Sequence, residues 1–138
     1  MGNKIVYVKE LAPQTKLFEI EAPHIAERGQ AGQFIILRVN DEGERIPLTI
    51  ANRNPEKGTI TLVFQEVGKT TEMMGLMDVG DEIHDLAGPL GKATEIPAGK
   101  TVVCVGGGDT SIDVVSVARR LGHINKSGKS DLPETVIH

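Results

Sequence analysis

Three short stretches carry residue types that could do chemistry. The first is Arg45-Ile-Pro-Leu-Thr49. A guanidinium can neutralise a pyrophosphate through a bidentate fork. Ile46 precedes a proline, which pushes it out of the helical region and keeps the segment extended. Side chains alternate along an extended chain, so Arg45, Pro47 and Thr49 share one side. That side has a cation at one end and a small hydroxyl at the other. A dinucleotide has the same layout, with a charged pyrophosphate and a flat polar ring some distance away. A surface arginine at the start of an edge strand would be spelled the same way, so the pentapeptide does not decide alone.

The second stretch is Glu66-Val-Gly-Lys-Thr-Thr71. Gly68 lets a backbone approach a ligand closely. The amides that open a following helix, together with Lys69 and the hydroxyls of Thr70 and Thr71, can hold an anion. An ordinary helix cap uses the same residues. The third stretch is Gly106-Gly-Gly-Asp-Thr-Ser111, after an apolar run and before a helical pattern. This is the context of a dinucleotide-binding turn, with Gly106 and Gly108 allowing a pyrophosphate to approach the helix start. The acidic or basic residue that reads the ribose belongs at the end of the next strand, where the sequence stops. A complete dinucleotide site is therefore not expected from these residues alone.

Other candidates point to no chemistry. His24, His84, His123 and His138 are far apart, without carboxylates or thiols at ligand spacing, so no metal site is expected. Cys104 sits in an apolar run and reads as an inert buried thiol. Met73, Met74 and Met77 read as core packing. No serine or cysteine has a placed base.

The elements that must position these residues follow from periodicity. Strands are predicted over 4–10, 15–21, 33–39, 45–51, 59–66 and 82–86, with turns between them at short, regular spacing. Residues 25–30 read as a polar loop broken by a glycine, and 40–44 as a hairpin loop. One short helix is predicted over 70–77, opened by a capping hydroxyl. Ala87-Gly-Pro-Leu-Gly91 reads as a tight loop and 93–100 as a linker. Beyond it come an apolar strand over 101–105, a helix over 111–121 stopped by Gly122, and the start of a strand at Thr135. The fold class expected is mostly β: a six-stranded antiparallel Greek-key barrel with one short helix, then a truncated βαβ fragment. The expected domains are residues 1–95 and 96–138.

With 138 residues the chain is long enough to bury roughly two thirds of its unfolded surface. The net charge of −4 and the scarcity of aromatics argue against a nucleic-acid surface. One cysteine excludes an internal disulfide framework and an iron–sulfur cluster held by this chain alone. No stretch is apolar enough to span a bilayer, and the N-terminus lacks a signal-peptide core, so a cytoplasmic protein without a membrane partner is expected.

Further strings join these motifs: Ala31-Gly-Gln-Phe, Leu62-Val-Phe-Gln-Glu-Val-Gly-Lys-Thr-Thr, Leu86-Ala-Gly-Pro-Leu-Gly and Val102-Val-Cys-Val-Gly-Gly-Gly. With Arg45-Ile-Pro-Leu-Thr-Ile, they make residues 1 to about 108 resemble the flavin-binding half of the ferredoxin–NADP reductase superfamily. The resemblance extends in particular to electron-transfer subunits of dihydroorotate dehydrogenase, and to small subunits of sulfide dehydrogenase and of NADH-dependent ferredoxin–NADP oxidoreductase. It implies an FAD-binding barrel serving NAD(P)H-dependent electron transfer. Arg45 would face the pyrophosphate, and Pro47, Leu48 and Thr49 would line the isoalloxazine. Leu62, Val63 and Phe64 would pack near the ring or ribose, and Gly68 to Thr71 would hold the phosphate and adenosine end. The partners implied are a nicotinamide nucleotide or a partner reductase subunit. The alternative is a non-catalytic remnant that folds as an interaction domain and pairs with a second copy.

The pattern departs from that family after Gly108. Gly106-Gly-Gly-Asp-Thr-Ser-Ile-Asp and Ala118-Arg-Arg-Leu-Gly resemble the nucleotide-binding turn of glutamate-synthase small-subunit reductases instead. A fused or truncated chain is the expectation, with NAD(P)H as a second expected cofactor.

Overall fold

The computed structural model describes residues 2–104 and 135–137. The elements are β1 (Asn3–Ala12), β2 (Thr15–Glu21), α1 (Pro23–Arg28), β3 (Phe34–Arg38), β4 (Ile46–Thr49), β5 (Asn52–Asn54), β6 (Thr59–Gln65), α2 (Lys69–Gly75), β7 (Glu82–Ile83), β8 (Asp85–Leu90), β9 (Val102–Cys104) and β10 (Thr135–Ile137). The predicted helix over 111–121, the Gly106 and Gly108 turn and the side chain of Cys104 lie outside the described residues and side chains.

The mostly β class holds. The strands form a five-stranded sheet ordered β5-β6-β2-β1-β7 and a three-stranded sheet ordered β4-β3-β8, not one closed ring of six. All pairings in these two sheets are antiparallel. The difference from the expected barrel lies at two bends. The predicted strand 45–51 ends as β4 at Thr49, and residues 52–54, read as part of a turn, form β5, because the neighbouring amides between them serve different sheets. Ile50 N donates to Gln33 O at 3.1 Å, while Ala51 N donates to Thr61 O at 2.9 Å. The second bend separates β7, which pairs with β1, from β8, which pairs with β3. Strands that switch sheets make the corners of such packings.

Two further elements depart from the sequence reading. Helix α1 occupies Pro23–Arg28, within the stretch from Ala22 to Gln30 that reads as a loop. Pro23 at its first position pre-sets the helical φ, Ile25 and Ala26 are buried, and Gly29 N closes the end on Ile25 O at 2.7 Å. The stretch 87–91, read as a tight loop, instead continues strand β8 to Leu90. A Cβ at Gly88 would lie 2.8 Å from Ile35 Cγ2, so glycine is what lets β8 lie this close to β3.

A single core fills the interior. Ile5, Phe18, Ile20, Ile35, Leu37, Ile60 and Leu62 are fully buried. The Phe18 and Phe64 rings meet edge to face with centroids 4.9 Å apart, a favoured aromatic geometry. Met74 is also buried, and Met77 packs against the same cluster. At the far end of the sheets Thr94 N donates to Ala31 O at 2.9 Å, and Thr94 packs directly against Gly32, whose φ of +87° suits glycine. Strands β9 and β10 pair in parallel, with Val103 opposite Val136.

Candidate functional site

Alternation on β3 decides which side chains face outward. Ile35 and Leu37 are buried, so Phe34, Ile36 and Arg38 project from the other face of the three-stranded sheet. Cross-strand partners share a face. Thr49 lies opposite Phe34, and Pro47 lies opposite Ile36. Ala87 and Asp85 of β8 lie opposite Ile36 and Arg38. The outward face therefore grades from apolar and hydroxyl groups at Phe34 and Thr49 to charged groups at Arg38, Asp85 and Arg45. As predicted, Arg45, Pro47 and Thr49 share a side. Leu48 does not join them: it packs with Ile46 against the core.

The charged end is a cluster on one oxygen. Arg38 Nη2 donates to Asp85 Oδ2 at 2.9 Å, and Arg45 Nη1 donates to the same oxygen at 3.2 Å. Arg38 is tied down further by Nη1 to Asp41 O at 3.2 Å, and its Nε is buried without a partner. Burial pushes the Asp85 carboxyl up, but hydrogen bonds and charge attraction from Arg38, then Arg45, outweigh it and hold it below its ordinary value. A depressed carboxyl favours the folded state above its unfolded pKa, and that contribution disappears as pH falls through the lower folded value. Acid unfolding curves for wild type and Asp85→Asn should thus diverge at neutral pH and converge below the ordinary aspartate range.

Arg38 and Asp85 were missed by sequence reasoning. The available signal was a charged residue toward the end of each of two other predicted strands, Arg38 in 33–39 and Asp85 in 82–86. The sequence spacing between Arg45 and Asp85 hid the connection.

At the second stretch Gly68 precedes helix α2, and one of its hydroxyls is already occupied. Thr71 Oγ1 accepts from Val67 N at 3.1 Å and Gly68 N at 3.0 Å, and donates to Gly68 O at 3.0 Å. This hydroxyl is a cap. Thr71→Val should cost about 1 kcal/mol of stability, measured by chemical denaturation, because two loop amides lose their acceptor. The amides of Lys69 and Thr70 find no acceptor among the described residues. Lys69, Thr70 and Met73 line a cavity of about 300 Å³ with Asn40, Glu42, Gly43 and Glu44 of the hairpin loop. Glu44 immediately precedes Arg45, so the hairpin brings the two anion-ready points to neighbouring positions. Glu42 and Glu44 put carboxylates in the same lining, so the cavity is not uniformly positive.

Leu62 and Phe64 point inward, 0% and 2% exposed. Between them only Val63 is half-buried on the opposite face of β6. His84 and Asp41, far apart in sequence, form a pair at 2.9 Å. Among the described residues no group of three or more His, Cys, Asp or Glu could hold a metal ion, and no helix is long and apolar enough to cross a membrane.

The groups present suit a flavin dinucleotide. The outward face carries an incompletely used guanidinium at one end and an apolar surface with a threonine at the other, and the unpartnered amides and cavity lie beside the first. Comparison with known proteins agrees with this. The oxidoreductase FAD-binding domain family matches residues 3–94. The dihydroorotate dehydrogenase B (NAD(+)) electron transfer subunit homolog of Thermotoga maritima is 39% identical over 119 residues, covering 86% of this chain and 42% of that protein. The corresponding electron transfer subunit of Desulforamulus reducens is 34% identical over 125 residues, covering 88% of this chain and 47% of the relative. Among solved structures, an NADH-dependent reduced ferredoxin–NADP oxidoreductase studied for flavin-based electron bifurcation superposes with a TM-score of 0.84 at 35% identity. That match covers 99% of this chain and 48% of the other. The chain spans less than half the length of each of these relatives.

Proposed function

The chain belongs to the oxidoreductase FAD-binding domain family, and on that premise we propose that it is the FAD-binding electron-transfer module of an NAD(P)H-dependent oxidoreductase. The outward face of the β4-β3-β8 sheet is the observation behind this reading, because its charge gradient suits a dinucleotide laid along it. Arg45 binds the pyrophosphate. Pro47 and Thr49, with the backbone of Leu48, line the ring, and Val63 is the one side chain of the Leu62–Phe64 run left to approach it. Gly68, Lys69, Thr70 and Thr71 receive the phosphate and adenosine end through backbone amides and the lysine. FAD, when bound, supplies hydride acceptance and the release of electrons singly or in pairs. The chain positions the cofactor and keeps water from one face of it.

Residues 1–95 are the FAD-binding domain, a Greek-key barrel opened at its two corners. The family match ending at residue 94 and the Thr94–Ala31 bond support that boundary. Residues 96–138 are a partial nucleotide-binding fragment. The parallel pairing of β9 with β10 supports that, since parallel strands suit a nucleotide-binding sheet. Gly106 and Gly108 are its proposed contacts to NAD(P)H. The electron partner is a nicotinamide nucleotide or a reductase subunit, in keeping with relatives that are named as subunits. A cytoplasmic setting is part of the same proposal.

An absorbance spectrum of the purified chain, taken during FAD titration and again after separate additions of NADH and NADPH, tests this. Flavin bands with equimolar FAD uptake are expected. A colourless protein that takes up no FAD would defeat the proposal.

A further inference from the structure

We propose that Asp85 is a positioning residue for Arg45: its carboxylate, anchored by Arg38, fixes the Arg45 guanidinium so that its Nε–Nη2 edge is presented to the phosphates of FAD. This rests on the FAD reading above and adds two residues to it. Arg38 grips Asp85 Oδ2 at 2.9 Å and is itself fastened to Asp41 O, with only 22% of its side chain exposed. Arg45 is 56% exposed, and its one side-chain hydrogen bond among the described residues is from Nη1 to that same oxygen at 3.2 Å. Nη1 is the one guanidinium nitrogen that does not belong to the Nε–Nη2 edge. Contact there leaves the Nε–Nη2 edge unused, and the two parallel N–H groups of that edge match two oxygens of a phosphate.

Charge alone does not account for Asp85. Two guanidinium groups without a carboxylate would attract an anion more strongly, so Asp85 reduces the attraction. What it supplies is geometry. A long exposed arginine loses rotamer freedom when it grips a ligand, and a side chain already held in place loses less. The Asp41 carboxylate lies 2.9 Å from His84 Nε2, and among the described residues Asp85 is the acidic partner of Arg45.

The test is a double-mutant cycle read by FAD titration of wild type, Asp85→Asn, Arg45→Met and the double variant, with riboflavin, which lacks phosphates, as the second ligand. Asp85→Asn is expected to weaken FAD binding on the order of tenfold, to leave riboflavin unaffected, and to have no further effect in the Arg45→Met background. FAD binding by Asp85→Asn that equals or exceeds wild type overturns the inference, as does an equal loss in the Arg45→Met background or an equal loss for riboflavin. Arg45→Lys, at an exposed position, keeps the charge without the planar edge and should bind FAD about as poorly as Arg45→Met. Wild-type affinity in that variant also overturns the inference, even if Asp85→Asn does not fold. Wild-type protein that binds no FAD fails the underlying function instead, and the two failures are told apart by that first titration.

Discussion

Arg45→Met is expected to weaken FAD binding by about ten- to a hundredfold while barely moving the unfolding midpoint of the free protein. Hydrogen bonds to charged groups contribute about 1.5–3 kcal/mol each, and the arginine edge opposite the Asp85 contact is available to make them. Removing the side chain from the free protein sacrifices one exposed contact at 3.2 Å, and exposed ion pairs contribute little to folding. Flavin-fluorescence titration and thermal unfolding of the same preparations separate the two effects. Unchanged affinity would mean that the outward face of the small sheet is not where the pyrophosphate lies.

The second large effect concerns stability. Phe18→Ala should cost about 3–5 kcal/mol in chemical denaturation, the range for deleting a buried aromatic ring. Phe18 is 0% exposed and lies on β2, between β6 and β1 in the larger sheet. Its loss opens a cavity against Phe64 that the flanking ladders cannot easily collapse. A cost below about 1 kcal/mol would show that the core does not close around this ring. Phe64→Leu offers a sharper comparison, since the resemblance placed Phe64 near the ring or ribose. Its inward position predicts a loss of stability with FAD affinity unchanged per folded molecule.

Several of these features were legible in the sequence. Alternation placed Arg45, Pro47 and Thr49 on one side, and the pairing with Phe34 and Ile36 agrees. Most strands lie within a residue or two of their expected limits, because each is a half-buried run bounded by turn residues. The bends were not legible. Nothing in the types of Ile50 and Ala51 says that their amides serve different sheets, since that depends on which distant carbonyl is nearest. Alternation could have assigned Leu62 and Phe64 inward, because Ile60, Leu62 and Phe64 are spaced two apart and all are buried. Helix α1 is a single short run whose glycine looked like a break and instead ends the helix. The Arg38–Asp85–Arg45 cluster depends on the β3–β8 register, and that register contains an irregularity between Phe34 and Ile36 which a sequence cannot reveal.

The seat of Thr94 on Gly32 bears on how the chain could move. The backbone bond from Thr94 to Ala31 and the close packing at Gly32 tie the outgoing chain to the loop just ahead of β3. The chain is thereby held to the sheets as far as Thr94. A reporter group on Lys92, inside that clasp, should therefore tumble with the sheets.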